Sequence, residues 1–262
     1  MADIQHLFAV RPVVIAHRGA NREAPENTLA AFRLAAQQGA GAIELDVNLS
    51  KDKVPVVMHD PTVDRTTNGR GRVCDLPLAN LKELDAGVGF AGRFSGERIP
   101  TLEEVFEQIP AGVWIDVELK NYTTPGDDLE GRVVDLVHRM NMSRRVLFSS
   151  FSLLTLLRVG RRAPEIPCAI LTWDRQPLWL RRAWLGPLVR HESREPELAQ
   201  ASEKLMNTCH RAKRLVSVWV ANEPQDIQRV AGLGVDGILT DVPGLTVSLL
   251  GGRRSGVAHA AG

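Results

Sequence analysis

The stretch Val113–Lys120, Val-Trp-Ile-Asp-Val-Glu-Leu-Lys, alternates strictly. Val113, Ile115, Val117 and Leu119 are apolar, whereas Trp114, Asp116, Glu118 and Lys120 are polar or amphipathic. A period of two marks a β-strand whose successive side chains leave by opposite faces. One face packs on an apolar layer, and the other turns acid, acid and base towards something polar. Ala42–Val47 repeats the pattern, with Ile43, Leu45 and Val47 on one side and Glu44 and Asp46 on the other. Two strands aiming carboxylates the same way imply a shared polar site, most simply a metal. The fold must bring both strands to it.

Around these two strands the chain alternates between strand and helix patterns. Val13–Ala16 is a short apolar strand running into His17-Arg18-Gly19, and Asn27 is placed to cap a helix that runs to about Gln38 and stops at Gly39. Between Ala42–Val47 and Val54–Met58 only a few residues intervene, too few for a parallel crossover of a dozen or more. They are read as a hairpin. With Lys51-Asp52 at its tip, His59 falls opposite Glu44.

Asp60–Pro100 is turn- and glycine-rich, with a short helix at Leu78–Leu84, and reads as a small insertion or cap. Thr101-Leu102-Glu103-Glu104 is a capping box. Helix and strand then alternate: helix Arg132–Met140, strand Val146–Ser149, helix Leu153–Arg161, strand Cys168–Leu171. A Trp- and Arg-rich helix follows at Leu178–Leu185, then a weak strand at Leu188–His191, helix Pro196–Lys213, strand Leu215–Val220, helix Pro224–Leu233 and strand Val235–Thr240.

With the hairpin strand set aside, eight strands remain, the count of a (β/α)8 TIM barrel. A doubly wound sheet is the alternative, but no Gly-x-Gly-x-x-Gly follows the first strand. The expected organisation is one barrel domain over 1–250, with 60–100 inserted after the hairpin and a disordered tail at 251–262.

Composition narrows the function. A chain of 262 residues, 44% hydrophobic, can bury one sizeable core. A net charge of +1, from 32 basic and 31 acidic residues, argues against nucleic acid as a partner. Three scattered cysteines, Cys74, Cys168 and Cys209, argue against a disulfide framework or Cys-based zinc and for a reducing compartment. The N-terminus lacks a signal-peptide pattern, and no apolar run approaches the ~18 residues of a membrane span. The expected location is cytoplasmic. Oligomeric state has no sequence signal.

In a barrel the polar residues at the C-terminal strand ends form the site: His17 and Arg18, Glu44 and Asp46, Glu118 and Lys120, Phe151, His191, Trp219 with Asn222, and Asp241. Three carboxylates without cysteine favour a hard cation, Mg²⁺ or Ca²⁺. Arg18 and Lys120 add positive charge that suits a phosphate, and two nearby histidines can serve as general base and acid. Each residue also has a plainer role. Glu-x-Asp is common on strands, Lys120 can be a solvated strand end, and His191 and Asp241 read as structural.

His17-Arg18-Gly19, Ala24-Pro25-Glu26-Asn27-Thr28, Ile43-Glu44-Leu45-Asp46-Val47 and Val57-Met58-His59-Asp60, in this order and spacing, resemble the glycerophosphodiester phosphodiesterase family. The likeness continues through Arg65-Thr66-Thr67-Asn68-Gly69, Glu118-Leu119-Lys120 and Gly234-Val235-Asp236-Gly237-Ile238. It is dense from Val13 to Lys120 and patchy beyond. The resemblance implies a barrel enzyme that hydrolyses glycerophosphodiesters of the glycerophosphocholine or glycerophosphoethanolamine type to sn-glycerol 3-phosphate and an alcohol, with one divalent cation.

By the same resemblance, Glu44, Asp46 and Glu118 hold the cation and His17 and His59 are the acid/base pair. Arg18 and Lys120 grip phosphate, Asn27 steadies the first loop, and Phe151 and Trp219 line the substrate side. Direct attack by water and attack by the glycerol hydroxyl through a cyclic phosphate are both compatible with this set. One departure from the family pattern is Trp219-Val220-Ala221-Asn222, which lacks the usual hydroxyl.

A second departure is Trp173–Glu195, where Trp173, Trp179 and Trp184 are mixed with leucine and arginine. Such a stretch either packs on the barrel or sits in a membrane interface. The interface reading would make the enzyme a lysophospholipase D releasing lysophosphatidic acid. A further alternative is a catalytically silent phosphodiester-binding protein.

Overall fold

The computed structural model describes residues 4–90, 92–181 and 186–251. The expected tail beyond Gly251, and the part of the Trp- and Arg-rich helix beyond Arg181, lie outside the described residues. Nine strands are present among the described residues: β1 Val13–His17, β2 Ala42–Leu49, β3 Pro55–Val57, β4 Trp114–Leu119, β5 Val146–Ser150, β6 Cys168–Thr172, β7 Ser193–Pro196, β8 Leu215–Val218 and β9 Gly237–Thr240. The helices are α1 Leu29–Gln37, α2 Leu78–Glu83, α3 Leu102–Gln108, α4 Leu129–Arg139, α5 Leu153–Arg162, α6 Leu178–Arg181, α7 Glu203–Arg211, α8 Pro224–Gly232 and α9 Pro243–Leu249.

Eight strands pair in parallel around a ring, and β1 closes it by bonding both β2 and β9. The expected (β/α)8 barrel is the fold. β3 lies outside the ring, antiparallel to β2. The alternation of β4 sets the two layers. Val113, Ile115, Val117 and Leu119 join Phe32, Leu45 and Leu136 between barrel and helices, while Trp114 meets Phe8, Ile15, Leu147 and Leu239 in a second cluster. In that cluster the N-terminal segment packs on the barrel: Phe8 is 1% exposed, with its ring 5.1 Å from that of Trp114. Nothing in the sequence pattern announced this contact.

β2 and β4 pair with Glu44 beside Asp116 and Asp46 beside Glu118, so the acidic faces adjoin as expected. The hairpin register differs by one residue. Val47 opposes Val57 and Leu49 opposes Pro55, and continuing that register sets His59 against Leu45 rather than Glu44. The cause is the loop, which is closed by Ser50 N–H to Val54 C=O at 3.0 Å and contains Lys53 in the left-handed region at φ 64°. It is a residue longer than the tip assumed. β3 ends at Val57, so His59 stands beyond the ladder.

Three boundaries also differ. The cap of α1 is Thr28, whose Oγ1 accepts from Ala31 N, whereas Asn27 sits in the left-handed region at φ 58°. The weak strand is Ser193–Pro196, not Leu188–His191, and Leu188 is 73% exposed. Where one helix was expected over Pro196–Lys213, a 3-10 turn at Leu198–Gln200 precedes α7. The capping box at Thr101 and Glu104 forms as read. Residues 60–100 contain α2 and pack Val63, Val73, Leu81, Ala86 and Ile99 against Val56 and Met58.

Candidate active site

Glu44, Asp46 and Glu118 converge where β2 and β4 run side by side, and their ligand atoms lie within 4.8 Å of one another. All three are buried, at 3%, 0% and 8% exposure. Burial, together with the charges of Asp46, Glu118 and Asp116, pushes the Glu44 carboxyl well above its usual range. Asp46 goes the other way: burial opposes it, but Lys120 and Arg18 hold it well below the carboxylate range. Asp46 Oδ1 has no hydrogen-bond partner. A donor set of carboxylates alone, one oxygen without a hydrogen bond and facing the Lys120 ammonium, and one carboxyl forced towards protonation, fits a hard divalent cation.

The surroundings fix the ligands in place. Asn27 Nδ2 donates to Asp46 Oδ2 at 2.9 Å, which its left-handed backbone position before the α1 cap allows. The backbone N–H of Arg18, itself at φ 55°, donates to Glu44 Oε2 at 3.0 Å. The Tyr122 hydroxyl donates to Glu118 Oε1 at 2.8 Å, and burial and Glu118 hold that phenol well above its usual range, so it stays a donor.

The two histidines reach the same pocket from different elements. His17 ends β1, and its Nδ1 lies 2.7 Å from Asp241 Oδ1 at the end of β9. His59 follows β3, with Nδ1 2.6 Å from Asp60 Oδ1. Asp241 also accepts from Asn21 and Asn222, each at 2.6 Å. Burial opposes ionisation of both aspartates, yet Asp60 is held at about 2, chiefly by Arg65 and His59, and Asp241 at about 2, chiefly by His17 and the asparagines. Both carboxylates therefore accept at neutral pH. An Nδ1–H committed to a carboxylate leaves Nε2 as the working nitrogen.

Arg18 and Lys120 lie among the carboxylates: Arg18 Nε is 3.4 Å from Asp46, and Lys120 Nζ is 3.3 Å from Asp46 and 3.0 Å from Glu118. Arg18 further pairs with Glu26, and Arg65 bridges Glu26 to Asp60. A ladder of ion pairs thus runs from Arg18 to His59. His17, Arg18, Glu44, His59, Glu118 and Lys120 line a cavity of about 420 Å³ whose other wall is Tyr122, Phe151, Trp173 and Trp219. Phe151 stands edge-on to Trp219, with ring centroids 5.7 Å apart, and to Tyr122 at 6.1 Å.

His17, Arg18, Glu44, His59, Glu118, Lys120, Phe151 and Trp219 therefore line the pocket, and Asp46 and Asn27 are joined to them through Arg18, Lys120 and each other. His191 is not among them: it is buried, Nδ1 against the Val189 carbonyl. Asp241, read as structural, touches His17, and Asn222 is its support. Tyr122 and Asp60 were overlooked. Tyr122 is the chain's one tyrosine and falls two residues after Lys120, on the same strand parity; Asp60 is His59's neighbour. Deeper in the barrel, Asp116 and Glu195 are both 0% exposed. Burial pushes the Asp116 carboxyl up to about 7 and raises Glu195, which Asp116 faces, well above its usual range.

The profile of the glycerophosphoryl diester phosphodiesterase family matches residues 17–245. A glycerophosphodiester phosphodiesterase of Caldanaerobacter subterraneus subsp. tengcongensis is 38% identical over 249 residues, 94% of this chain and 100% of that one. Among solved structures, a phosphodiesterase of Oleispira antarctica in complex with the product sn-glycerol-3-phosphate has a TM-score of 0.84 at 30% identity, covering 93% of this chain and 98% of that one. A glycerophosphodiester phosphodiesterase of Agrobacterium tumefaciens has a TM-score of 0.77 at 33% identity, covering 89% and 98%. With the matched stretch running from His17 through Asp241, the chain belongs to the glycerophosphoryl diester phosphodiesterase family and is a phosphodiesterase of that family.

Proposed function

We propose that the enzyme hydrolyses small glycerophosphodiesters, of the glycerophosphocholine or glycerophosphoethanolamine type, to sn-glycerol 3-phosphate and an alcohol, with one divalent cation and with His17 and His59 as its acid/base pair. The observation that carries this reading is the convergence of Glu44, Asp46 and Glu118, two aspartate-anchored histidines and the half-buried Arg18 and Lys120 on one cavity. A divalent cation held by the three carboxylates supplies charge neutralisation and polarisation of the phosphate.

The chain's own residues do the rest. Arg18 and Lys120 bind the phosphate oxygens. Asp241 and Asp60 orient the imidazoles so that one Nε2 takes the proton of the attacking water or glycerol hydroxyl and the other delivers one to the leaving alkoxide, water then opening the cyclic phosphate that hydroxyl attack forms. On the opposite wall, Tyr122, Phe151, Trp173 and Trp219 shield the reaction from water and offer ring faces to a quaternary ammonium head group.

Release of sn-glycerol 3-phosphate from glycerophosphocholine, measured with EDTA and with added Mg²⁺ or Ca²⁺, tests the reading. Cation-dependent release that His17→Ala and His59→Ala each abolish is expected. Release that survives EDTA and both substitutions would sink it. Wild-type activity no greater than that of a His17→Ala, His59→Ala double variant would instead favour a silent binding protein.

One observation favours a second substrate reading. Trp173, in the cavity wall, is 41% exposed, and Leu178 and Trp179 of α6 beside it are 42% and 44% exposed. This apolar rim suits an acyl chain and peripheral contact with a membrane, and with it lysophospholipase D activity. Co-sedimentation with anionic vesicles and turnover of lysophosphatidylcholine distinguish the two. No described helix is long and apolar enough to cross a membrane. Cys74, Cys168 and Cys209 are all free, in keeping with a reducing compartment such as the cytoplasm.

A further inference from the structure

Strand β7 alternates between two environments. Ser193 and Glu195 are fully buried, with Glu195 against Asp116 inside the barrel. Arg194, between them, leaves by the opposite face, towards the helices, and it is only 8% exposed. Among the described residues it has no carboxylate partner. Its one hydrogen bond runs from Nη2 to the Arg181 carbonyl oxygen at 3.2 Å, and its Nε is buried with no acceptor. A buried guanidinium cannot shed its proton to escape this environment, and an ion left unpaired in the interior is strongly unfavourable. Burial pushes its pKa below the ordinary value, and the nearby Arg214 pushes the same way.

Arg194 lines a cleft of about 530 Å³ together with Arg181, Gln200, Lys204 and Thr208, and this cleft shares no residue with the catalytic cavity. A second donor there is unsatisfied: Gln200 Oε1 accepts from Thr172 Oγ1 at 3.0 Å, while its buried Nε2 has no partner. The cleft's one acid, Asp174, is taken up by Arg181 at 2.8 Å. The cleft therefore presents two orphaned buried donors and an exposed lysine. What is missing is an acceptor with negative charge.

We propose that this flank cleft is an anion site, in which the Arg194 guanidinium binds a small phosphate-type oxyanion, either inorganic phosphate or a phosphomonoester. The planar fork of a guanidinium matches two oxygens of such a group. Gln200 Nε2 supplies a further donor, and Lys204 lends charge at the mouth.

The experiment is a ¹⁵N–¹H correlation spectrum of the arginine Nε–Hε groups of the intact enzyme. The Arg194 signal is identified by its loss in Arg194→Lys, which keeps the charge but removes the fork. That signal is expected to shift saturably with inorganic phosphate and to stay still in chloride of equal ionic strength. Lys204→Gln, an exposed change, should raise the apparent Kd severalfold, which keeps the test open if Arg194→Lys fails to fold. Both variants should retain glycerophosphocholine turnover within about twofold of the parent enzyme, since the cleft lies apart from the catalytic residues. Titration with sn-glycerol 3-phosphate separates the sources: tighter binding than phosphate means the site reads the ester as well, and equal binding means it takes the phosphate group alone. A signal unmoved by either anion, or moved equally by chloride, overturns the proposal.

Discussion

The two histidines of the pocket differ in how their carboxylates are held. Asp60 is shared with the Arg65 guanidinium, whereas Asp241 is gripped by two neutral amides, with Arg22 at 3.9 Å and mostly in solvent. Replacing Asp241 by Asn removes the acceptor that fixes the His17 tautomer while preserving shape. A kcat loss of about 10²–10⁴-fold is expected, on the scale seen when an orienting carboxylate is lost elsewhere, with an unchanged circular-dichroism spectrum. The same substitution reports on acid stability. Asp241 is held at about 2 in the folded state, below its ordinary value of 3.8, so its contribution is present above that ordinary value and lost as pH falls towards 2. Asp241→Asn should therefore flatten the fall in stability between about pH 4 and 2, measured by urea midpoints.

At the scale of elements, the turn from β1 into α1 has little freedom. Gly19 has φ +85°, and a Cβ there would lie 2.7 Å from the Ala31 backbone carbon and Cβ. Because Arg18 N–H in the same turn holds Glu44, Gly19→Ala should cost more than about 1 kcal/mol and weaken cation binding as well. Urea denaturation and a cation titration check the two parts.

The elements also differ in how far the sequence disclosed them. β2 and β4 were legible because their alternation reports two environments, apolar layer against acidic site. β7 was not, since Ser193, Arg194 and Glu195 are all buried yet polar, and apolar Leu188–Val189 upstream drew the reading away. The α1 cap was misplaced by one residue because Asn27 and Thr28 are both good caps. Only the structure shows that Asn27 is engaged with Asp46. The hairpin register turned on Lys53 adopting a conformation that lysine rarely adopts. Asp241 stands at a strand end yet reads as structural in the sequence, because its partner, His17, is 224 residues away.

At the scale of the whole molecule, three buried carboxylates within 4.8 Å of one another repel, so a divalent cation bound among them is expected to stabilise the barrel. Saturation at about 100 Kd stabilises a protein by about 2.7 kcal/mol. For a chain of this size, that is a rise of roughly 5–10 °C in Tm. Scanning calorimetry with and without EDTA should find it, and Glu44→Gln should lower the cation concentration dependence. At the other pole, Phe8→Ala empties a fully buried site against Trp114 and should cost about 3–5 kcal/mol, leaving kcat of the folded enzyme unchanged. A parallel loss of kcat would mean that the N-terminal packing reaches the site.

The ring closure between β1 and β9 also has a consequence in time. Glu44, Asp46, Glu118, Arg18 and Lys120 are all on the chain once Lys120 has been added, less than halfway along the 262 residues. The carboxylate that orients His17 comes only with Asp241, at the end of the strand that shuts the ring. A nascent chain can thus carry the whole carboxylate cluster long before it carries the acceptor for His17 Nδ1. Nascent or truncated products lacking β9 would lack that partner of His17, and they are expected to turn over substrate more slowly than the whole barrel.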